Sequence, residues 1–461
     1  MPARALCTTA ADRSPTAAAP MRAAHPDGAR QCIELFSGCG GLALGIARAG
    51  FEHRLLVEWN AHACATLNAN ATNGNGVAAT TAHAADRAAH ADRQDGASAI
   101  DARWLVARGD VRAIDWTAAR DSLSGVASAA SLAGGASLTD PGLADLDLIA
   151  GGPPCQPFSS AGLGRAHDDP RDMWPEAIRS VRELAPRAFL FENVQGFLRP
   201  RFAPYLSWII ESLRRPLCAR RPGETHAEHL ARLARSRSAL RYDVGVFAVN
   251  AADFGAAQQR RRVVVAGIRR EPGAPERLLA APTPTHSREA LLWDQWIAGD
   301  YWRRHAIRAP KTGPADARDA AWVAAQRIRG IEPQLRPAVI PWRTTRDAIA
   351  GLGEPNGQNQ HVFQAGAKVY ANHTGSALDL PAKALKAGAH GVPGGENMLI
   401  GDDGTPRYFS VREAARLQGF HDAWQFEGPR SEGMRQLGNA VPVQLSEALG
   451  RWIAGALEQR A

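Results

Sequence analysis

The segment from Cys32 to Glu58 most constrains the fold of this chain. A short strand pattern, Cys32–Phe36, runs into Ser37-Gly38-Cys39-Gly40-Gly41, and a helical pattern, Leu42–Ala49, follows at once. A second strand pattern, His53–Glu58, comes next. Strand, glycine-rich turn, helix and strand in such close succession are the repeating unit of α/β proteins. Further strand patterns lie at 146–150, 187–191, 241–249 and 263–268, with helical stretches at Trp174–Leu184 and Tyr205–Leu213. The expectation is a doubly wound, Rossmann-like α/β sheet, whose ligands sit beyond the carboxyl ends of its strands.

Length and composition narrow the rest. The 461 residues suffice for two or three domains, and a hydrophobic fraction of 45% can build a sizeable core. No apolar run approaches the ~20 residues of a membrane span. The stretch from Leu6 to Ala24 is broken by Asp12, Arg13, Pro15, Pro20 and Arg22, so no signal-peptide core is read there and a cytoplasmic address is expected. The six cysteines (7, 32, 39, 64, 155 and 218) form no C-x-x-C pair. That argues for free thiols and against a zinc site or any other metal centre. The net charge of +8 permits a polyanionic partner. Only Lys311, Lys368, Lys383 and Lys386 are lysines, so the excess is arginine, which a GC-rich genome explains as readily as a DNA surface does.

Residues 1–30 are rich in Ala, Pro and Arg without periodicity and are expected to be a disordered tail. Residues 31–268 carry the α/β pattern, with Ala/Ser/Gly-rich insertions near 71–100 and 117–143. Residues 269–404 change in character towards Pro, Arg and Trp, which reads as a smaller loop-rich domain. Between 261 and 350, basic residues outnumber acidic ones by 16 to 9. Helical patterning returns at Ser410–Leu417 and Val443–Leu457, within a return segment 405–461.

Five constellations carry chemistry. In Phe36-Ser37-Gly38-Cys39-Gly40-Gly41-Leu42-Ala43, the glycines open backbone N–H groups to a ligand at a helix N-terminus. Glu58, twenty residues after Gly38, suits a carboxylate gripping ribose hydroxyls, and Trp59 suits stacking on a base. Gly38–Ala43 also fits G-x-G-x-x-A, so a nicotinamide dinucleotide is an alternative ligand of this motif, and a plain tight turn is another. Gly151-Gly-Pro-Pro-Cys155-Gln-Pro-Phe-Ser159 follows a strand, and Pro153, Pro154 and Pro157 fix backbone angles around the thiol. Phe191-Glu192-Asn193-Val194 ends a strand. Gln258-Gln-Arg260-Arg-Arg262 precedes one, and its alternate arginines are expected to point to the same side. Gly438-Asn439-Ala440-Val441-Pro442 reads as a loop and a cap before the last helix.

Together and in this order, these motifs resemble the DNA (cytosine-5-)-methyltransferase family of bacterial type over roughly 31–268 and 405–455. Asn250-Ala-Ala-Asp-Phe-Gly255, Pro284-Thr-His-Ser287 and Arg412-Glu-Ala-Ala-Arg-Leu-Gln-Gly-Phe420 add to the likeness. So does His390-Gly-Val-Pro-Gly-Gly395, near the end of the smaller domain. Ser410 stands where the family has Thr, and Val443 where it has Pro.

The resemblance implies a Rossmann-like methyltransferase sheet, with a target-recognition domain inserted before the C-terminal helix. It implies S-adenosyl-L-methionine as cofactor and double-stranded DNA as partner, for a monomer that a cognate restriction endonuclease can accompany. It assigns Cys155 as nucleophile, Glu192 and Arg262 as groups on the target cytosine, and Arg260 and Asn193 as support. It assigns Phe36, Ser37, Gly38, Gly40, Gly41, Leu42, Glu58, Trp59, Asp110, Val111, Pro153, Asn439 and Val441 to the cofactor. A mobile loop around 157–164 is expected to close over an extruded base. A tRNA cytosine methyltransferase and a catalytically silent DNA-binding relative are the rival readings. Silence is expected to cost Cys155, Glu192 or the glycine loop, and all are present.

Overall fold

The structure, a computed structural model, describes residues 30–72, 104–116, 146–154, 171–329, 336–370, 374–387 and 397–460. Residues 1–29 of the expected tail, nearly all of both insertions, Cys155 and the loop at 157–164 lie outside the described residues, whereas Arg30, expected in the tail, begins the first strand. Of the first insertion, Ala71 and Thr72 are described, and they finish the helix Ala61–Thr72.

Seven strands form the central sheet. They are β1 (Arg30–Leu35), β2 (Phe51–Glu58), β3 (Val106–Arg108), β4 (Leu148–Gly151), β5 (Ala188–Val194), β6 (Tyr242–Asn250) and β7 (Arg261–Arg269). Their order is β3-β2-β1-β4-β5-β7-β6. Only β7 runs against the others, antiparallel to both β5 and β6. The order reverses at β1 and β4, and in a doubly wound sheet that reversal opens a crevice at the carboxyl ends of the strands.

The strands are buried on both faces, as a sheet covered by helices requires. Ile33, Leu35, Phe189, Phe191, Val263 and Val265 face one core, against Trp174, Val181, Trp208 and Ile209 from the helices Trp174–Leu184 and Ala203–Arg214. Cys32, Leu148, Leu190, Val264 and Ala266 face the other, against Leu42, Ile46, Leu445, Leu449 and Ile453 from the helices Gly41–Arg48 and Val443–Glu458. The alternation of 189 and 191 with 190 is the period-2 pleat read directly from the core.

The first and last of these helices touch almost backbone to backbone. A Cβ on Gly45 would lie 2.3 Å from Ser446 Cβ, and one on Gly41 would lie 2.3 Å from the Val441 carbonyl. The C-terminal segment thereby returns to the β1 turn.

Sequence patterning under-reads two regions. Gly438-Asn439 is not in a loop: it closes the helix Arg430–Asn439, whose half-buried charged residues mask its apolar side. The 269–404 region contains the helices Arg288–Leu292, Asp300–Arg304, Ala317–Arg329 and Thr345–Ile349, too short or too polar to show a clear period. Ala348, Ala382, Leu385 and Leu399 from this region share a core with Cys39, Ala43, Phe420 and Trp424. Among the described residues, no helix is long and apolar enough to cross a membrane.

Candidate active site

The glycine turn leaves β1 through Phe36, whose φ of 58° is a left-handed value rare outside glycine. Gly38 (55°) and Gly40 (91°) follow in the same region of backbone space. The three glycines meet different surroundings. A Cβ on Gly40 would lie 2.9 Å from Leu67 and 3.0 Å from Trp424, and Gly41 is pressed by Val441. At Gly38 a Cβ would meet nothing within 4 Å. Protein packing therefore accounts for two of the glycines, and the open side of the turn is at Gly38.

Glu58 at the end of β2 holds this turn from below. Its Oε2 accepts the Gly38 N–H at 2.8 Å and its Oε1 accepts the Asn60 N–H at 2.7 Å. A carboxylate has about four acceptor positions, so two remain for hydroxyl donors. Beside it, the Trp59 indole is 68% exposed, an unusual state for tryptophan. Ser37 is buried, and its hydroxyl donates to the Glu34 carbonyl. Leu42 packs into the core beneath the turn.

Asp110 follows β3. Its carboxylate is engaged by Arg112 through the guanidinium and the backbone N–H, and that contact holds its pKa below the ordinary carboxylate value. Val111 next to it is buried.

Glu192 lies at the carboxyl end of β5. Val264 of β7 stands opposite it, and Arg262 is two residues away on the same face. Arg262 Nε meets Glu192 Oε1 at 2.5 Å, with both side chains nearly buried. Asn193 is 1% exposed, and its Nδ2 donates to the Pro153 carbonyl at 3.2 Å. That bond fastens the segment leading to Cys155 onto the strand carrying Glu192.

The expected alternation of arginines does not hold. The pairing breaks between Gln259 and Arg261, so Arg260 and Arg262 diverge. Arg260 is fully buried and donates to the carbonyls of Leu385 (2.8 Å) and Gly438 (2.6 Å). It joins the strand entry to the segment bearing Asn439 and Val441. Sequence reading gave no task to Gln258, whose Oε1 accepts the Leu385 N–H, or to Trp424, which backs Gly40. Partners more than a hundred residues apart leave no local signal.

The three buried cysteines of the described residues do not compete for a nucleophile's role. Burial pushes the Cys39 and Cys64 thiols up to about 12 and raises Cys32 well above its ordinary value. Among the described residues, no cluster of metal-ligating side chains occurs.

Comparison with known proteins agrees with this architecture. The chain matches the C-5 cytosine-specific DNA methylase family over residues 30–87, 136–216 and 222–455. The Type II methyltransferase M.NgoMIV of Neisseria gonorrhoeae is 29% identical over 437 residues, covering 93% of this chain and 98% of that protein. M.NaeI of Lentzea aerocolonigenes is 26% identical, covering 93% and 75%. An Escherichia coli prophage-encoded protein, described as a DNA modification methyltransferase, shares the fold with a TM-score of 0.50 at 19% identity, over 93% of this chain and 100% of that one. With seven-strand order, glycine turn and paired Glu192–Arg262 in hand, the chain belongs to the C-5 cytosine-specific DNA methylase family and is a DNA (cytosine-5-)-methyltransferase.

Proposed function

We propose that this enzyme transfers a methyl group from S-adenosyl-L-methionine to C5 of an extruded cytosine in double-stranded DNA, at a specific sequence, through a covalent Cys155–C6 adduct. The observation that carries the reading is the Glu192–Arg262 pair. O2 and N3 are neighbouring acceptors on one edge of cytosine, and two joined side chains, one near the end of β5 and one at the start of β7, suit that edge.

Cytosine C5 is a weak nucleophile. Addition of the Cys155 thiolate to C6 makes C5 enamine-like and pushes electron density towards N3 and O2. Arg262 stabilises charge developing at O2. Glu192, transiently protonated, donates to N3 and accepts from the exocyclic amine. Asn193 holds Pro153, two residues before Cys155, to the strand that carries Glu192. Abstraction of the C5 proton then lets the thiolate leave.

The residues around the glycine turn suit the cofactor. Gly38 offers open backbone, Glu58 free acceptor positions for a ribose, and Trp59 an exposed face for adenine. Phe36, Ser37, Gly40, Gly41, Leu42, Asp110, Val111, Asn439 and Val441 complete the proposed binding set. Asp110 reaches the adenine amine only by sharing its carboxylate with Arg112. When bound, the cofactor supplies an electrophilic methyl on a sulfonium. The dinucleotide reading of Gly38–Ala43 is set aside, because membership of the methylase family accounts for the same turn.

Residues 269–404 are proposed as the target-recognition part, set above β7. A tRNA substrate is the rival. Labelled cofactor offered with duplex DNA and with tRNA separates the two, and incorporation into duplex DNA alone is expected. Cys155→Ser should abolish methylation and the trapped adduct on 5-fluorocytosine DNA. Near-parent turnover in that variant would falsify the mechanism.

A further inference from the structure

The path of the chain after β7 fixes the inserted region in an informative way. β7 runs away from the active edge, and Arg269 N–H donates to the Arg187 carbonyl at the far end of β5. The chain then climbs back along the sheet. Arg277 N–H donates to the Asp243 carboxylate at the foot of β6. The Ala280 carbonyl accepts from Trp452 of the C-terminal helix. Thr285 N–H then reaches the Asp253 carbonyl at 2.9 Å. Asp253 lies in the turn Ala251–Phe254, which follows β6 at the active edge. The inserted region therefore takes its position there, not at Arg269.

Several contacts reinforce this foot. The Trp342 indole N–H donates to Asp253 Oδ1 at 2.9 Å. His286–Ser287 pairs with Ile340–Pro341, so the strands entering and re-entering the region sit on the same turn. Ala252 packs with Leu291, Tyr301, Trp302 and Trp342. Gly255, at φ 91°, lets His286 approach to where a Cβ would be 2.8 Å from its ring. The other end of the region stands on the same connection: Ala382–Lys383 pairs with Gln258–Gln259. Arg262 follows directly.

We propose that Asp253 and Trp342 are a positioning pair whose hydrogen bond sets where the recognition region stands over Arg262. The pair touches no reacting atom. It governs how well the target base and its flanking sequence are presented together, and it rests on the methyl-transfer reading above. The carboxylate is half-buried, so the indole donor is its main compensation, and losing that donor favours a shift of the whole foot. Nothing in Asn250–Gly255 as a sequence announces this, because the partner lies 89 residues away.

The test uses the full chain, unmethylated bacterial genomic DNA and labelled S-adenosylmethionine, with base-resolution mapping of the products. Trp342→Phe keeps the ring and removes the donor; Asp253→Ala removes the acceptor. Each should raise the KM for DNA about tenfold, a loss of ~1.4 kcal/mol, and spread methylation to sites outside the parent's motif. The kcat at saturating DNA and the cofactor affinity should stay at parent values. Asp253→Asn, which keeps a carbonyl acceptor, should restore parent behaviour, and the double variant should be no worse than either single one. Parent KM and parent motif in both single variants would overturn the proposal. So would additive losses, or kcat, KM and cofactor affinity declining together. A parent enzyme inactive on DNA but active on tRNA would overturn instead the reading beneath it.

Discussion

At the scale of single residues, the site separates atoms that face ligand space from atoms consumed by packing. Gly38 and Gly41 lie in one turn, both in the proposed binding set, but only Gly41 is pressed by protein atoms. Gly41→Ala drives a methyl group into the Val441 carbonyl at 2.3 Å, an overpacking expected to cost roughly 1–3 kcal/mol. Gly38→Ala meets no protein atom, and only its left-handed backbone resists, at about 1–2 kcal/mol. In the proposed site its methyl group points at the cofactor. Thermal melts and calorimetry should therefore show cofactor affinity falling in Gly38→Ala, and unchanged affinity would remove Gly38 from the binding set. The thiols give a second residue-scale expectation. With pKa values near 12, Cys39 and Cys64 hold about one part in ten thousand as thiolate at pH 8. Iodoacetamide on the folded enzyme should leave both unlabelled, and Cys32 with them, as peptide mass mapping would show. Much of the site was legible at this scale. Glu58, Glu192 and Arg262 each sit at a strand terminus that apolar patterning locates. Arg260 was read only as support, and its linking contacts were not legible, because its partners, Leu385 and Gly438, are distant in sequence.

At the scale of elements, legibility followed periodicity. β4, β5 and β7 each contain an unbroken apolar run, and Trp174–Leu184 and Val443–Glu458 have one clear buried face each, so their bounds came within a few residues. Arg430–Asn439 carries two glycines and three charged residues among its ten, and its burial comes from tertiary contact. The return of the last helix to the first part of the chain was implied by the family resemblance, but its near backbone contact with the first helix left no local signal. Gly45 lets them approach, and its Cβ position is 2.3 Å from Ser446 Cβ and 2.5 Å from the Val443 carbonyl. Gly45 is not a proposed ligand residue, so Gly45→Ala tests the packing alone. A helix interior normally gains up to ~1 kcal/mol from Gly to Ala. Here the clash should reverse that sign, lowering stability by about 1–3 kcal/mol in urea titrations. A stabilised variant would show that the two helices separate at little cost.

At the scale of the whole molecule, three stretches far apart in sequence meet at one buried guanidinium. Arg260 ties the β7 entry to Leu385, at the end of the inserted region, and to Gly438, beside the segment proposed to close the cofactor site. Arg262, two residues on, touches only Glu192 among carboxylates within the described residues. The two arginines should consequently fail differently. Arg262→Ala removes the stabilisation proposed at cytosine O2 and leaves the nearly buried Glu192 without its partner, so turnover should collapse and stability fall while cofactor affinity stays close to the parent value. Arg260→Ala leaves two buried carbonyls without their charged donor. Each such loss is worth ~1–3 kcal/mol, and the inserted region and the cofactor segment are released together. Cofactor affinity, DNA affinity and stability should decline in that one variant. Lysine at 260 should rescue it only in part, since one ammonium cannot reproduce the spread of a guanidinium across both carbonyls. Calorimetry with cofactor, filter binding with DNA and thermal melts, run on both variants, decide the matter. If Arg260→Ala lost turnover alone, with all three binding and stability measures intact, Arg260 would belong with the substrate-contacting groups, and the coupling between the two halves of the molecule would have to run elsewhere.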